Sequence, residues 1–324
     1  MIVVTGGAGF IGSALIWELN RQGFENIVSI DDLGLGNKWK NLVKRRFLYN
    51  VCIDKSHKWL KKNQEKIEVI FHMGACSSTT ERDADFLMNN NVHDSRRLWK
   101  ICRDNEIPFI YASSAATYGS EESNFSDAHD AAKQLIPINK YGWSKQVFDM
   151  WVLKQPQGKN RWYGLKFFNV YGPQEYHKGP QASVAFHAYP QVTESSSLKL
   201  FKSYRDGISH GDQKRDFVYV KDVTAIMLHL WQESRAKSGL YNVGTGTSRS
   251  FSDLGKAVFA SLNKPPKMEW IEMPDTIRDQ YQYFTEANLN KLTNDGHYSK
   301  SLFSLEAGIS DYVQNYLSKE DRYL

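Results

Sequence analysis

Cysteine is scarce in this chain, and the scarcity excludes several classes of protein. The 324 residues include three cysteines, Cys52, Cys76 and Cys102, without a CxxC spacing. An odd number of cysteines scattered along the chain predicts neither a disulfide framework nor a structural zinc site, and it fits a reducing compartment. The nine histidines form no ligand grouping such as HExxH. We therefore predict no metal site.

Long apolar runs and a strong charge of one sign are also absent. No apolar run approaches the length of a membrane span, which is about 20 residues. The N-terminus lacks the basic and apolar regions of a signal peptide. Lys and Arg outnumber Asp and Glu by 41 to 36, a net charge of +5. This small excess suits an anionic small ligand and does not predict a nucleic-acid partner. The composition predicts a soluble, cytoplasmic protein.

Short apolar strands and helices alternate through the first half of the chain. Ile2–Thr5, Ile27–Ile30 and residues 69–73 and 109–112 are strand-like, and residues 86–103 have helical spacing. Such alternation predicts an α/β fold, a Rossmann-like doubly wound parallel sheet.

Turns become frequent after about residue 168. We predict a dinucleotide-binding domain over 1–168 and a smaller mixed α/β substrate domain over 169–324. Segments from about 215–245 are expected to return to the first domain, because residues 217–220 and 240–243 are strand-like.

Three glycines between the first strand and the first helix predict a dinucleotide site. Gly6, Gly9 and Gly12 would let the backbone approach a pyrophosphate at the helix N-terminus. Asp31, after the second strand, would bond the ribose hydroxyls of NAD. Lys38 would instead pair with the 2′-phosphate of NADP, so these residues leave NADP and NAD open.

A tyrosine and a lysine four residues apart predict proton transfer. Tyr141 and Lys145 would share one face of a helix, where the ammonium would lower the pKa of the phenol. Ser114, just past the strand at 109–112, would hold the same substrate oxygen. Together they predict hydride transfer at a secondary alcohol, with Tyr141 taking the hydroxyl proton and a nicotinamide cofactor the hydride.

These motifs resemble a known family. The glycine triplet, the run at 113–119, the Tyr141/Lys145 pair and residues 215–220 are similar to the extended short-chain dehydrogenases/reductases, most of which modify nucleotide sugars. More specific segments resemble the ADP-L-glycero-D-manno-heptose 6-epimerase family, from Met1 to beyond Tyr283. They are residues 74–81, 111–119, 168–173, 177–179 and 182–187.

The resemblance implies an activity, a cofactor and an assembly. The family inverts C6″ of ADP-D-glycero-β-D-manno-heptose for the inner core of lipopolysaccharide, with tightly held NADP that is reduced and reoxidised in each cycle. Inversion needs an acid/base on each side of the transient ketone, and the resemblance makes these Tyr141 and Lys178. By spacing alone Lys178 is a solvated loop lysine, and a lysine base needs desolvation or nearby positive charge. The family also implies a homopentamer.

The resemblance implies further site residues. The cofactor would be lined by Gly6, Gly9, Phe10, Ile11, Gly12, Asp31, Asp32, Lys38, Lys55, Met73, Gly74, Ala75, Cys76, Ser77, Asn90, Lys145, Val170 and Lys178. The ADP-sugar would be lined by Ser114, Asn169, Pro180, His187, Phe201, Lys202, Ser203, Tyr204, Arg215 and Tyr281.

Two of these residues have competing interpretations. The guanidinium of Arg215 would clamp a diphosphate, or else form a surface pair with Asp216. His187 would contact the sugar, or else be a core histidine.

Three features depart from the family pattern. Pro180 stands where a substrate-contacting serine is expected, and Met73 replaces an acid beside the cofactor. Residues 205–213 resemble an insertion near the substrate loop.

Three competing functions were weighed. A 4,6-dehydratase needs an Asp-Glu pair next to the active-site threonine, whereas Thr117 follows two alanines. A cofactor-binding module without catalysis is expected to lack Tyr141 or Lys145. A UDP-hexose 4-epimerase shares both residues, does not need Lys178, and remains the alternative.

Overall fold

The structure is a computed structural model that describes residues 1–120, 125–156, 158–278 and 281–324. Its strands are β1 Ile2–Thr5, β2 Ile27–Ile30, β3 Tyr49–Val51, β4 Val69–His72, β5 Phe109–Ser114, β6 Trp162–Phe167, β7 Asn169–Tyr171, β8 Leu198–Phe201, β9 Lys214–Tyr219, β10 Gly239–Val243, β11 Ser248–Ser250 and β12 Met268–Ile271. Its α-helices are α1 Phe10–Arg21, α2 Ile53–Asn63, α3 Ala84–Leu87, α4 Asp94–Asp104, α5 His129–Ala132, α6 Lys140–Leu153, α7 Val184–Ser195, α8 Val220–Gln232, α9 Phe251–Ser261, α10 Asp275–Arg278, α11 Asn290–Asn294 and α12 Leu305–Tyr312.

A seven-stranded parallel sheet forms the centre of the molecule. Its order is β10-β6-β5-β4-β1-β2-β3. Alternate residues of β1 belong to different apolar clusters, Ile2 and Val4 to one and Val3 to the other. Both faces of the sheet are therefore covered, which explains the uninterrupted apolar runs of its strands. The predicted doubly wound parallel sheet is confirmed.

The helix predicted over residues 86–103 contains a change of winding. A π-helical segment, Met88–His93, joins α3 to α4. The Ser95 hydroxyl at the start of α4 donates to the carbonyl of Asn91 in this segment, at 2.7 Å. A π-helical turn is commonly found at functional sites, and apolar spacing alone does not reveal it.

The second half of the chain contributes to the large sheet and also builds two small ones. Strand β10 pairs with β6, so residues 240–243 lie in the large sheet. Residues 217–219 lie instead in a three-stranded sheet, in which β9 is between β11 and β7, and Val220 begins α8. Helix α8, which directly follows β9, packs against α1, so the chain returns there to the helix that follows β1. Strands β8 and β12 form the other small sheet. The domain division at residue 168 stays a prediction.

Within the described ranges, no helix is both long enough and apolar enough to cross a bilayer.

Candidate active site

Backbone segments approach one another closely at the turn between β1 and α1. A Cβ on Gly12 would lie 2.1 Å from the carbonyl oxygen of Gly6, and a Cβ on Gly6, which has φ +65°, would lie 2.6 Å from the amide nitrogen of Gly74. Helix α1 has no side-chain cap and no acid in its first turn. Its first N–H groups are therefore available to an anion such as a pyrophosphate.

The acid after β2 is held from both sides. Asp31 accepts a hydrogen bond from the amide of Ala8 at 3.0 Å and one from the Lys38 ammonium at 2.5 Å. Lys38 also donates to the carbonyl of Asp32 at 3.2 Å. The structure thus brings Asp31, Asp32 and Lys38 together, whereas Lys55 is exposed on α2.

An asparagine that the sequence did not single out holds the loop after β4, residues 73–77. Asn91 accepts from the amide of Cys76 at 2.9 Å and donates to its carbonyl at 3.0 Å. It also donates to the Ser144 hydroxyl on α6, at 3.0 Å. Asn90, which the sequence did single out, donates to the Asn91 side chain at 2.9 Å. Asn91 therefore ties the predicted cofactor loop to the helix that carries Tyr141.

The three predicted residues Ser114, Tyr141 and Lys145 lie together at the carboxyl end of β5. Asn139 caps α6 by accepting from the amide of Gly142, at 2.8 Å. The Tyr141 phenol is hydrogen-bonded to the Ser114 hydroxyl. Lys145 donates to the carbonyl of Ala112 on β5, at 2.9 Å.

Burial dominates the proton affinities of this group. It raises the pKa of Tyr141, and the hydrogen bond from Ser114 opposes this rise. It lowers the pKa of Lys145 to about 8, against the attraction of the nearby Asp149. The sequence argument, in which Lys145 lowers the pKa of Tyr141, was wrong about the net direction because it left out desolvation.

A buried ion pair behind this group was missed by the sequence analysis. Asp149 on α6 and Lys166 on β6 are fully buried and 2.9 Å apart. Asp149 also accepts from the hydroxyls of Tyr111 and Ser113, at 2.9 and 2.6 Å, and Lys166 donates to the Thr117 hydroxyl at 2.8 Å. A lysine inside an apolar strand is the signal that could have found the pair, because lysine is rarely buried without a partner.

Lys178 lies in the loop between β7 and α7 and faces the start of α1. Its ammonium is 5.4 Å from the centroid of the Phe10 ring. Burial lowers the pKa of Lys178, and the charge of Glu175 opposes the fall. The desolvation that a lysine base requires is therefore present, although spacing alone described a solvated lysine.

Arg215 is buried on β9 beneath two aromatic rings. Its guanidinium lies 4.9 Å from the centroid of Tyr281 and 5.7 Å from that of Phe251, and it donates to the carbonyl of Lys214 at 2.8 Å. Asp216 instead accepts from the backbone amides of residues 245, 246 and 287. The alternative of a surface Arg–Asp pair was wrong, because these amides, and not the guanidinium, satisfy the buried carboxylate.

The remaining predicted substrate residues lie at the ends of small elements. His187 is half-buried on α7, 5.5 Å from the Phe186 ring, and is not a core histidine. Asn169 and Val170 begin β7, and Pro180 is exposed in the 3-10 turn Gly179–Gln181.

Residues 201–204 connect β8 to the predicted insertion. Phe201 ends β8, and the Lys202 ammonium lies 2.5 Å from Glu272. The Tyr204 hydroxyl is hydrogen-bonded to the same carboxylate. The amide of Ser203 donates to His210, inside residues 205–213, at 3.0 Å.

Across the part of the chain that the structure describes, no three His, Cys, Asp or Glu side chains are grouped to hold a metal ion.

Comparison with known proteins places this arrangement in a family. Residues 2–244 match the model of the NAD dependent epimerase/dehydratase family. The chain is 51% identical to an ADP-L-glycero-D-manno-heptose-6-epimerase of Fusobacterium nucleatum and 45% identical to one of Nitratidesulfovibrio vulgaris, with 100% of each chain covered. The crystal structure of the Helicobacter pylori ADP-L-glycero-D-manno-heptose-6-epimerase superposes with a TM-score of 0.81 at 30% identity, covering 97% of this chain and 95% of that one.

Proposed function

The chain belongs to the ADP-L-glycero-D-manno-heptose 6-epimerases of the NAD dependent epimerase/dehydratase family, and we propose that it inverts C6″ of ADP-D-glycero-β-D-manno-heptose for the lipopolysaccharide inner core. One observation carries the proposal: two side chains suited to proton exchange come from different elements that both adjoin the β1–α1 turn. Lys178 lies over Phe10, at the start of α1. Tyr141 lies on α6, which Asn91 ties to the loop after β4 whose Gly74 approaches Gly6.

The residues around the β1–α1 turn fit a nicotinamide dinucleotide. The close approach at Gly6 and Gly12 and the uncapped start of α1 suit its pyrophosphate, Asp31 and Lys38 its adenosine ribose, and residues 73–77 and Val170 the remainder. When bound, the nicotinamide accepts a hydride from the sugar carbon and returns it.

The chain itself handles the protons. Tyr141, held by Ser114, and Lys178, partly desolvated, lie on opposite sides of the C6″ carbon in this proposal. In each turnover one of them removes the hydroxyl proton as the ketone forms, and the other donates a proton to the oxygen as the opposite face of the ketone is reduced, which inversion requires. Lys145 holds the end of β5 beside Tyr141 through Ala112. Arg215, buried under Tyr281, is placed to clamp the diphosphate.

Purified protein given ADP-D-glycero-β-D-manno-heptose without added cofactor tests the proposal. We expect proton NMR to show conversion at C6″ to the L-glycero epimer by cofactor retained through purification. UDP-glucose and UDP-galactose, assayed in parallel, should not interconvert. Conversion of the UDP-hexoses alone would favour the 4-epimerase alternative. No conversion of any substrate, with or without added dinucleotide, would contradict the proposal.

NADP is the proposed cofactor because Lys38 neutralises Asp31. An unpaired carboxylate at this position would repel a 2′-phosphate, whereas the Lys38 ammonium, 2.5 Å from Asp31, attracts one. Nucleotide released by denaturing the purified protein should be NADP by chromatography and mass spectrometry. A Lys38→Gln variant should shift the bound fraction toward NAD, and a native protein that releases only NAD would contradict this choice.

The assembly and compartment are proposed on the family resemblance. A homopentamer in the cytoplasm is expected, and large apolar side chains exposed near β3, such as Leu35, Trp39 and Leu48, are available for a neighbouring subunit to cover. Light scattering after size exclusion should give five times the mass of one chain. A monomer at micromolar concentration would contradict the assembly.

A further inference from the structure

A carboxylate with no exposed surface lies three residues before Lys178. Glu175 is 0% exposed. Its side chain accepts hydrogen bonds from the amide of Gly172 at 3.2 Å, from the amide of Ser183 at 2.5 Å and from the Ser183 hydroxyl at 2.7 Å. Burial raises the pKa of the Glu175 carboxyl, and the hydrogen bonds from Ser183 and Gly172 and the charge of Lys178 oppose that rise by favouring the ionised form.

These contacts close the loop that carries Lys178. Gly172 directly follows β7, and Ser183 caps α7 by accepting from the amide of Phe186, at 3.2 Å. The carboxylate of Glu175 therefore joins the two ends of the 172–183 loop. Inside the loop the amide of Lys178 donates to the carbonyl of Glu175, at 3.0 Å, so Lys178 follows one turn after the carboxylate.

Lys178 is the cationic neighbour of Glu175 in this loop, because the other titratable groups near the carboxylate are neutral. Tyr176 and Tyr312, on the loop and on α12, interact with Glu175, and burial raises the pKa of both phenols, so both are neutral near pH 7. His177, next to Lys178, has its pKa lowered to about 4 by burial and is neutral as well. The charge that favours ionised Glu175 is therefore that of Lys178.

We propose that Glu175 is the positioning residue of Lys178: its buried carboxylate closes the 172–183 loop and supplies the negative charge that acts on the ammonium. The inference rests on the proposed catalytic role of Lys178 and adds the group that controls it. Burial favours the neutral amine of Lys178, and the charge of Glu175 favours the ammonium, so the carboxylate offsets part of the effect of desolvation on the pKa of the lysine.

The test measures the titration of Lys178 directly. The protein is labelled with lysine carrying 13C at Cε, and the Lys178 signal is identified by its absence from a Lys178→Met variant. Glu175→Gln preserves the shape of the side chain and removes its charge. We expect the pKa of Lys178 to fall by about one unit in this variant, because an opposite charge at this range shifts a pKa by about that much or more.

A matched control separates charge from loop geometry. Ser183→Ala removes one donor to the carboxylate and leaves its charge, so the pKa of Lys178 should stay within a few tenths of the native value. An unchanged Lys178 titration in folded Glu175→Gln would overturn the proposal, as would an equal shift in Ser183→Ala. If Glu175→Gln does not fold, Glu175→Asp, which keeps the charge, is titrated instead. In Glu175→Asp a native-like titration of Lys178 supports the proposal, and a fall of about one unit in the pKa of Lys178 overturns it.

Activity is read separately, so the two proposals fail in different ways. In Glu175→Gln, kcat for the ADP-heptose should fall at least tenfold with little change in KM, because the proton donor and not the diphosphate site is altered. A native protein that does not convert ADP-heptose would contradict the proposed function, while the titration would still report on Glu175.

Discussion

The two lysines of the candidate site are held in different ways. Lys145 lies on α6, four residues after Tyr141, and its ammonium donates to a backbone carbonyl of the neighbouring strand. Lys178 lies in a loop, over an aromatic ring and near a buried carboxylate. The first is positioned by helix register and a sheet edge, and the second by an aromatic ring of α1 and a carboxylate of its own loop.

This difference explains which half of the site can be predicted from the sequence. A spacing of four residues on a helix implies a shared face wherever it occurs. A loop lysine has no comparable rule, because its environment depends on groups brought to it by the fold. Substitutions of Tyr141 in the helix-held half and of Lys178 in the loop-held half test whether the two act as separate proton-exchanging groups.

The largest effect is expected from Tyr141→Phe, in the helix-held half. Turnover should fall about 100-fold or more, as expected for the loss of a general acid/base, and the fold should persist because the ring stays. Steady-state kinetics with the ADP-heptose measure this. Tyr163→Phe, which removes a hydroxyl bonded to the carbonyl of Ala236 at 3.0 Å, is the control. Near-native turnover in Tyr141→Phe would remove that residue from the mechanism.

Lys178→Met tests the loop-held half and should lower turnover about 100-fold with cofactor still bound. The side chain keeps its apolar length over Phe10 and loses the proton-exchanging group. Retained cofactor is measured by absorbance of the released nucleotide, and Lys159→Met, at an 82% exposed side chain, is the control. A variant that loses cofactor and regains activity with added NADP would make Lys178 a binding residue.

Arg215→Lys should raise KM about tenfold with a smaller change in kcat. A lysine keeps the charge and loses the planar fork that binds a diphosphate bidentately and stacks on Tyr281. KM for the ADP-heptose is the measurement, and Arg97→Lys, at a 67% exposed side chain, should leave it unchanged. An unchanged KM in Arg215→Lys would mean that the buried guanidinium serves packing only.

An effect of a different kind, on the stability of the fold, is expected at acid pH. His72 ends β4, and its ring nitrogens lie 2.6 Å from the Thr5 hydroxyl and 2.8 Å from that of Ser95. Burial lowers its pKa from the usual 6.5 of a histidine to about 3. Between these values the unfolded chain binds the proton and the folded chain does not, so this residue's contribution to stability is lost as the pH falls from 6.5 toward 3.

The rate of loss attributable to His72 is about 1.4 kcal/mol per pH unit at most. Urea unfolding at pH 7.0 to 4.5 measures it. A His72→Gln variant should show a flatter dependence of unfolding free energy on pH, and His93→Gln, at an exposed position, should not. An equal slope in native protein and His72→Gln would exclude His72 as the acid-sensitive group.

Several elements and site residues could be predicted because their causes are local. Apolar β-branched runs predicted β1 and β2 with their observed bounds, and glycine spacing predicted the turn between β1 and α1. The residues missed share another property. Asn91, Asp149 and Glu175 are polar groups whose partners come from distant segments or from the far end of a loop.

The sequence alone determined the alternating α/β architecture, the dinucleotide turn and the Tyr141/Lys145 pair, because periodicity and short spacings act over a few residues. The tertiary structure decided the rest. It assigned residues 217–219 to a small sheet through pairing with β7, and it desolvated Lys178 near Glu175. It also reversed the expected direction of the Tyr141 pKa. Burial and long-range pairing exist only once distant segments meet, and these two effects set the charge state of the candidate site.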